Sequence, residues 1–352
     1  MSVLRYFTGA FIFTVVGLSI GMWLGYVETG STSGIFEYLF ICCVLGVLEI
    51  SLSFDNSIIN ARILRDMSPV WEHRFLTWGI VIAVFGMRVI FPLIVVACAA
   101  WISPWQALKL AIWEPQHYAD IMTNAHVGIA AFGGTFLFMV GLKYFFDPEK
   151  DTHWILFLEG RAKKYASIHG IQIAITLVLV LIFSNLVKAE DDHTFLVSAI
   201  YGLLAFIAVE GLGVLMDARK HTMENVYKGG VGAFIYLEVL DASFSFDGVI
   251  GAFALSTNLF VIAIGLGIGA FYVRSMTVLL VDKGTLAQYR YLEHGAFYAI
   301  LVLAFIMYLQ TIIHIPEVVT GVIGMVFILS ALYSSIRFNR NHPDWHLNIP
   351  KD

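Results

Sequence analysis

Two short stretches carry most of the chemistry this sequence can offer. Residues 49–56 read Glu-Ile-Ser-Leu-Ser-Phe-Asp-Asn, and residues 241–248 read Asp-Ala-Ser-Phe-Ser-Phe-Asp-Gly. Both follow the pattern acid-x-Ser-x-Ser-Phe-Asp inside long apolar runs, and Glu238 stands three residues ahead of Asp241 on the same helical face. Carboxylate, amide and hydroxyl oxygens, with no thiolate and with His126 and His294 at a distance, are the donor set of hard divalent cations such as Mn²⁺, Mg²⁺ or Ca²⁺. An acid deep in a membrane span costs on the order of 2.5–3.5 kcal/mol. Glu49, Asp55, Glu238, Asp241 and Asp247 must therefore share a polar interior, with Asn56 adding an amide. Asp55 lies six residues beyond Glu49, and Asp247 six beyond Asp241, so an unbroken helix would turn each pair apart. Local unwinding at Asn56 and Gly248 is the expectation. It would let the carboxylates converge and free backbone carbonyls, which is tolerated only where a cavity is lined. Arg88 and Arg274, lone bases in apolar surroundings, cannot neutralise five acids, so the cluster calls for a cation or protons. The plainer alternative is structural: the two arginines fixing helix packing by pairing with the acids.

These residues need a membrane around them. Of 352 residues, 59% are apolar and only 13% charged, about half the charge of a soluble domain. Soluble, disordered, secreted and nucleic-acid-binding classes are excluded together, and an all-α polytopic membrane protein in contact with the lipid bilayer is predicted. Cys42, Cys43 and Cys98 lie in apolar runs without metal-ligand spacing. Runs of about 20 apolar residues fall at 4–27, 35–61, 75–101, 124–146, 168–187, 194–216, 231–256, 258–281, 294–313 and 317–336, about ten transmembrane helices. The first is read as a retained span, not a cleaved signal. With the N-terminus inside, only Lys109 and Lys188 of the 21 Lys and Arg fall outside, while Arg88 and Arg274 lie within spans. That asymmetry predicts both termini in the cytoplasm.

Each acid-x-Ser-x-Ser-Phe-Asp span is followed by one with a lone arginine, and then by one that begins with a histidine near a glycine, His126-Val-Gly128 and His294-Gly295. The first copy starts on the second span and the second on the seventh. An odd number of crossings separates them, so the two three-helix repeats are predicted to be inverted, a transporter signature with the site at the midplane. The resulting organisation is an extra N-terminal helix in 1–34, a first repeat in 35–146, and a charged loop with two linking helices in 147–230. A second repeat follows in 231–313, with a last helix and tail in 314–352. The two histidines are expected to snorkel at the interface. Glu210 on the sixth span is the acid most readily explained as structural. The glycines at 133–134 and 265–269 read as packing notches.

Ser-Phe-Asp55-Asn56, Ser-Phe-Asp247 and the stretch from Phe132-Gly133-Gly134 to Gly141-Leu142-Lys143 resemble the TerC family of the LysE-like exporters, over about residues 35–146 and 231–336. The chain looks like a longer branch of it, with an added first span, the 147–167 loop and two further helices. The resemblance implies export of divalent metal, chiefly manganese, and sets Glu49, Asp55, Asn56, Asp241 and Asp247 on metal-site positions. The expected function is thus a secondary transporter, not an enzyme, in a bacterial inner membrane. It would export Mn²⁺, with Glu238 completing the sphere and clustered carboxylates offering proton coupling. Two alternatives stand beside it. One is an intramembrane aspartyl protease in which Asp55 and Asp247 share a proton. The other is a membrane protein that binds metal without moving it.

Overall fold

The computed structural model describes residues 3–148, 150–168, 170–218, 230–253 and 255–342. The side chains of Ile80, residues 212–218, Phe246, Asp247, Ile250 and Glu317 lie outside the described set. So do the predicted cytoplasmic Arg219, Lys220, Lys228 and Lys351. Every regular element among the described residues is helical. The order is α1 (Thr8–Thr29), α2 (Thr32–Leu52), α3 (Phe54–Arg65), α4 (Pro69–Val81), a π-helical segment (Ile82–Ile90) and α5 (Phe91–Ala99). There follow α6 (Pro104–Trp113), α7 (Pro115–Asn124), α8 (His126–Phe145), α9 (Leu156–Tyr165), α10 (Ile171–Ser184) and α11 (Asp192–Ala218). The chain ends with α12 (Val231–Phe253), α13 (Leu259–Asp282), α14 (Thr285–Gln288), α15 (Leu292–Gln310) and α16 (Glu317–Asn341).

Eight of these helical stretches are long and apolar enough to cross a membrane, and the chain is an all-α polytopic membrane protein. The remaining two predicted spans are present as helices, one short and one rich in acids. α10 has 14 residues, and α12 carries Glu238, Asp241 and Asp247. Lipid-facing surface is apolar, as Trp23 on α1 and Leu181 on α10 illustrate, both more than half exposed. The stretch between the third and fourth predicted spans forms α6 and α7. Each opens on a proline at its first turn, where a missing N–H costs nothing. The joint between the seventh and eighth spans is as short as expected. Asn258 closes it by accepting from the N–H groups of Phe260 (2.9 Å) and Val261 (3.2 Å) at the start of α13.

α8, α13 and α15 are buried along most of their length, while α1, α2 and α16 form the outside of the bundle. Glycines permit the close approaches. A Cβ on Gly134 of α8 would lie 2.8 Å from the Tyr308 ring of α15, and one on Gly265 of α13 would lie 2.6 Å from Leu45 Cβ of α2. The packing partners also exchange between the two copies. α2 packs on α13, as α12 packs on α4 and the π segment; α3 packs on α15, as α12 packs on α8. The self-paired contacts α2 on α12, π segment on α13 and α8 on α15 are all present.

Unwinding differs from expectation. The first copy breaks at Ser53, two residues before Asp55, where the backbone leaves helical geometry (φ −103°, ψ 15°) between α2 and α3. The second copy does not break: α12 runs as one helix through Ser245 and Gly248. Gly248 is free to unwind, yet it stays within the hydrogen-bonded helix, against Glu49 and Leu52 of α2. A Cβ there would meet Glu49 Oε2 at 3.3 Å.

Candidate functional site

A polar cavity of about 30 Å³ lies where the two copies meet, room for a water or a bare cation. The first copy contributes Glu49 from α2, Ser53 from the break, Asn56 and Asn60 from α3, and Ala83 and Arg88 from the π segment. The second contributes Asp241 and Ser245 from α12, and Ala270, Val273, Arg274 and Thr277 from α13. Each position follows from local folding. The break at Ser53 turns α3 so that Asn56 and Asn60, four residues apart, share the face toward α12. The widened π turn leaves the Ala83 carbonyl to accept from Arg88 Nη1 (2.6 Å), which steers the guanidinium inward.

The acids already have partners. Arg88 Nη2 donates to Glu49 Oε1 in a fully buried ion pair, and Ser53 Oγ donates to the same oxygen at 2.8 Å. Asp241 Oδ1 accepts from Asn56 Nδ2 at 2.7 Å and Asn60 Nδ2 at 2.9 Å, two bonds that cross from one copy to the other. Glu238 and Arg274 face each other across Gly79. A Cβ there would lie 2.6 Å from Arg274 Nη2 and 3.3 Å from Glu238 Oε1. Arg274 also stacks over Phe75, 3.7 Å from its centroid. Both Glu238 oxygens, Arg274 Nε and Nη2, Ser245 Oγ, and the amide oxygens of Asn56 and Asn60 are buried without a hydrogen-bond partner. Native proteins rarely leave such groups unsatisfied, which makes this the candidate site among the described residues.

Of the residues singled out from sequence, Glu49, Asn56 and Asp241 line the cavity and Glu238 stands beside it. Asp55 does not. It turns to the other side of α3, into a smaller cavity against α15 and α16. The Asp247 side chain lies outside the described residues. Asn60, Ser53, Ser245 and Thr277 complete the lining. The charge count shrinks accordingly. Glu49, Asp241 and Glu238 against Arg88 and Arg274 leave one negative charge among the described residues, fewer than the sequence suggested. Among the described residues no three His, Cys, Asp or Glu side chains are grouped as a metal site, so any cation held here needs the amide and hydroxyl oxygens as well.

Glu210 keeps to the structural reading, and the expectation for His294 changes. Glu210 is half-exposed and pairs with Lys143 (2.5 Å) between α11 and α8, away from the cavity. His294 does not snorkel: it is 3% exposed, its Nε2 2.9 Å from Thr152 O and 3.4 Å from Glu159 Oε2. The charged loop folds over the start of α15 and buries Glu159. That carboxylate accepts from Lys150 Nζ (2.9 Å), from Tyr298 OH (3.1 Å) and from the N–H groups of Trp154 and Ile155 (both 3.1 Å). Burial alone would raise the Glu159 pKa, but His294, Lys150 and the Ile155 N–H outweigh it and hold the carboxyl well below the usual range.

No curated protein and no solved structure matches the chain. A family model does, over residues 54–342, from the first residue of α3 to the end of α16, so that α1, α2 and Glu49 precede the matched region. The match spans well over half of the chain, which therefore belongs to the family described as proteins of unknown function (DUF475).

Proposed function

We propose that this chain is a secondary transporter of divalent metal cations, with Mn²⁺ as the first candidate cargo, exporting it across a bacterial inner membrane with both termini in the cytoplasm. The observation that carries the reading is the central cavity. It is built from both copies in the interior of an apolar bundle, lined by carboxylates, and left with unsatisfied amide and hydroxyl oxygens. Such oxygens are the ligands of a hard cation, and a midplane site between repeats is where alternating access would act. The exchangeable packing of the two copies and the TerC-like motifs support the same reading. Two guanidiniums bring the cavity close to charge balance, so an arriving divalent ion must displace a guanidinium or protons. Exchange for protons is therefore the coupling this donor set favours.

The protease reading has no observation in its favour. Asp55 lines a cavity of about 10 Å³, with no space for a peptide. The test of the proposal is elemental analysis of intracellular manganese in cells challenged with MnCl₂. The expected outcome is low metal with wild type and high metal with Asp241→Asn, Asn60→Leu and empty vector. Equal manganese in all four overturns it. Saturable Mn²⁺ binding with no flux in proteoliposomes would leave a binder that does not transport.

A further inference from the structure

Asp55 is the acid the central cavity leaves out, and it is 5% exposed. It accepts from the adjacent Asn56 N–H (2.9 Å), and among the described residues no Lys, Arg or His forms an ion pair with it. A lone carboxylate in a low-dielectric interior is too costly to stand uncompensated. The cavity it lines, about 10 Å³, lies between the Ser53 break, Ala299 and Leu303 of α15, and Thr320, Gly321 and Gly324 of α16.

Two further features point into this space. Thr320 is 5% exposed, and its Oγ1 is buried without a hydrogen-bond partner. Hydroxyls in helices usually donate to the carbonyl one turn back, as Ser334 and Ser335 of the same helix do at 2.8 Å. Thr320 does not; the carbonyl four residues before it, Pro316 O, accepts from the Val319 N–H. Its hydroxyl oxygen is left available beside Asp55. Next to it Gly321 lets α16 ride on the break: a Cβ there would lie 3.3 Å from Leu52 Cδ2 and 3.7 Å from the Ser51 carbonyl carbon. Ser51 and Leu52, the last residues of α2 before the break, line the same small space, and discontinuous helices recur at ion sites.

We infer that Asp55 and Thr320, at the helix break beside Ser51 and Leu52, form a second cation site, for one Na⁺, separate from the central cavity. One carboxylate with a neutral hydroxyl balances a single positive charge, and the space holds one small dehydrated ion. Because α3 carries Asp55 on one face and Asn56 and Asn60 on the other, filling this site would fix the helix that lines the central cavity. The inference rests on the transport reading only for what the ion drives, not for its binding.

The test is ²²Na⁺ binding to the purified full-length protein without divalent metal. Wild type and Asp241→Asn are expected to bind saturably, with K⁺ a poor competitor. Thr320→Val keeps the side-chain shape and removes one ligand, so it is expected to weaken Na⁺ about tenfold, and Asp55→Asn to abolish binding. Absence of Na⁺ binding by wild type, as when a proton neutralises Asp55, overturns the site even if Mn²⁺ is exported. Unaltered binding by Thr320→Val overturns it as well, since that variant is near-isosteric and folds independently of the charge. Na⁺ binding with no Mn²⁺ flux supports the site and removes the transport reading.

Discussion

Replacing Arg88 by methionine separates structure from transport in the central cavity. Glu49 and Arg88 are 1% and 4% exposed, and the guanidinium also holds the Ala83 carbonyl. Arg88→Met leaves Glu49 with only the Ser53 hydroxyl (2.8 Å) and an uncompensated buried charge. Breaking a buried pair from one side costs about 3–5 kcal/mol. The double variant Arg88→Met/Glu49→Gln removes both charges in nearly the same volume, and such replacements are close to neutral. The expected cycle is a loss of about 3–5 kcal/mol for Arg88→Met, most of it regained in the double variant, with coupling of about 2 kcal/mol or more. Unfolding by SDS in mixed micelles measures all four proteins. Manganese flux in proteoliposomes then decides function: the double variant is expected to fold and not to transport. Additive losses would refute the pairing argument. Wild-type flux from the double variant would make Glu49 and Arg88 a packing device only.

Gly269→Ala is expected to push α13 off α2, because its Cβ would stand 2.6 Å from Glu49 Cγ and 2.8 Å from the Gly46 carbonyl oxygen, which is backbone and cannot yield. The cost is about 1–3 kcal/mol with loss of flux, whereas Gly9→Ala, with open space around its Cβ, is expected to be silent in both assays. Glu159→Gln tests the folded loop. The wild-type carboxyl titrates below its unfolded value of about 4.3, so its contribution is present above about pH 5 and fades as pH falls toward the folded value. The stability gap between wild type and Glu159→Gln should therefore be constant at neutral pH and close in acid; a gap that widens in acid contradicts the sign. Thr135 donates to Ala131 O (2.7 Å), so its hydroxyl accepts from Tyr308 OH (2.5 Å) across α8 and α15. Tyr308→Phe should cost about 1 kcal/mol in the same SDS titration, with flux unchanged.

Most spans were legible because they are apolar runs with a turn or breaker at their ends, and the recurrence of acid and arginine picked out Glu49, Arg88, Asp241 and Arg274, which line one cavity. The cavity was half legible. Glu49 and Asp241 are the equivalent first acids of the two motifs, and both line it. Asn60 was missed, although an amide four residues beyond Asn56 in an apolar run places both on one face. The one-sided break was not legible, because Ser-Phe-Asp-Asn and Ser-Phe-Asp-Gly carry the same local permission to unwind. Nor could periodicity find Glu159, whose burial comes from Lys150, Tyr298 and His294, far apart in the chain.

The two kinds of bond in the cavity bear on how it could move. The Arg88 and Ser53 bonds to Glu49 lie within the first copy and travel with it. The bonds from Asn56 and Asn60 to Asp241 run between copies and must break if one rocks on the other. Each is a hydrogen bond to a carboxylate, worth about 1.5–3 kcal/mol, so the latch between copies amounts to about 3–6 kcal/mol. A divalent ion bound by Asp241 and by the idle amide oxygens of Asn56 and Asn60 would compete for the oxygen that the amide nitrogens hold. Under the transport reading, the cargo itself loosens the contact that keeps the empty protein from cycling. An uncoupled leak through the empty carrier is what these two asparagines would prevent.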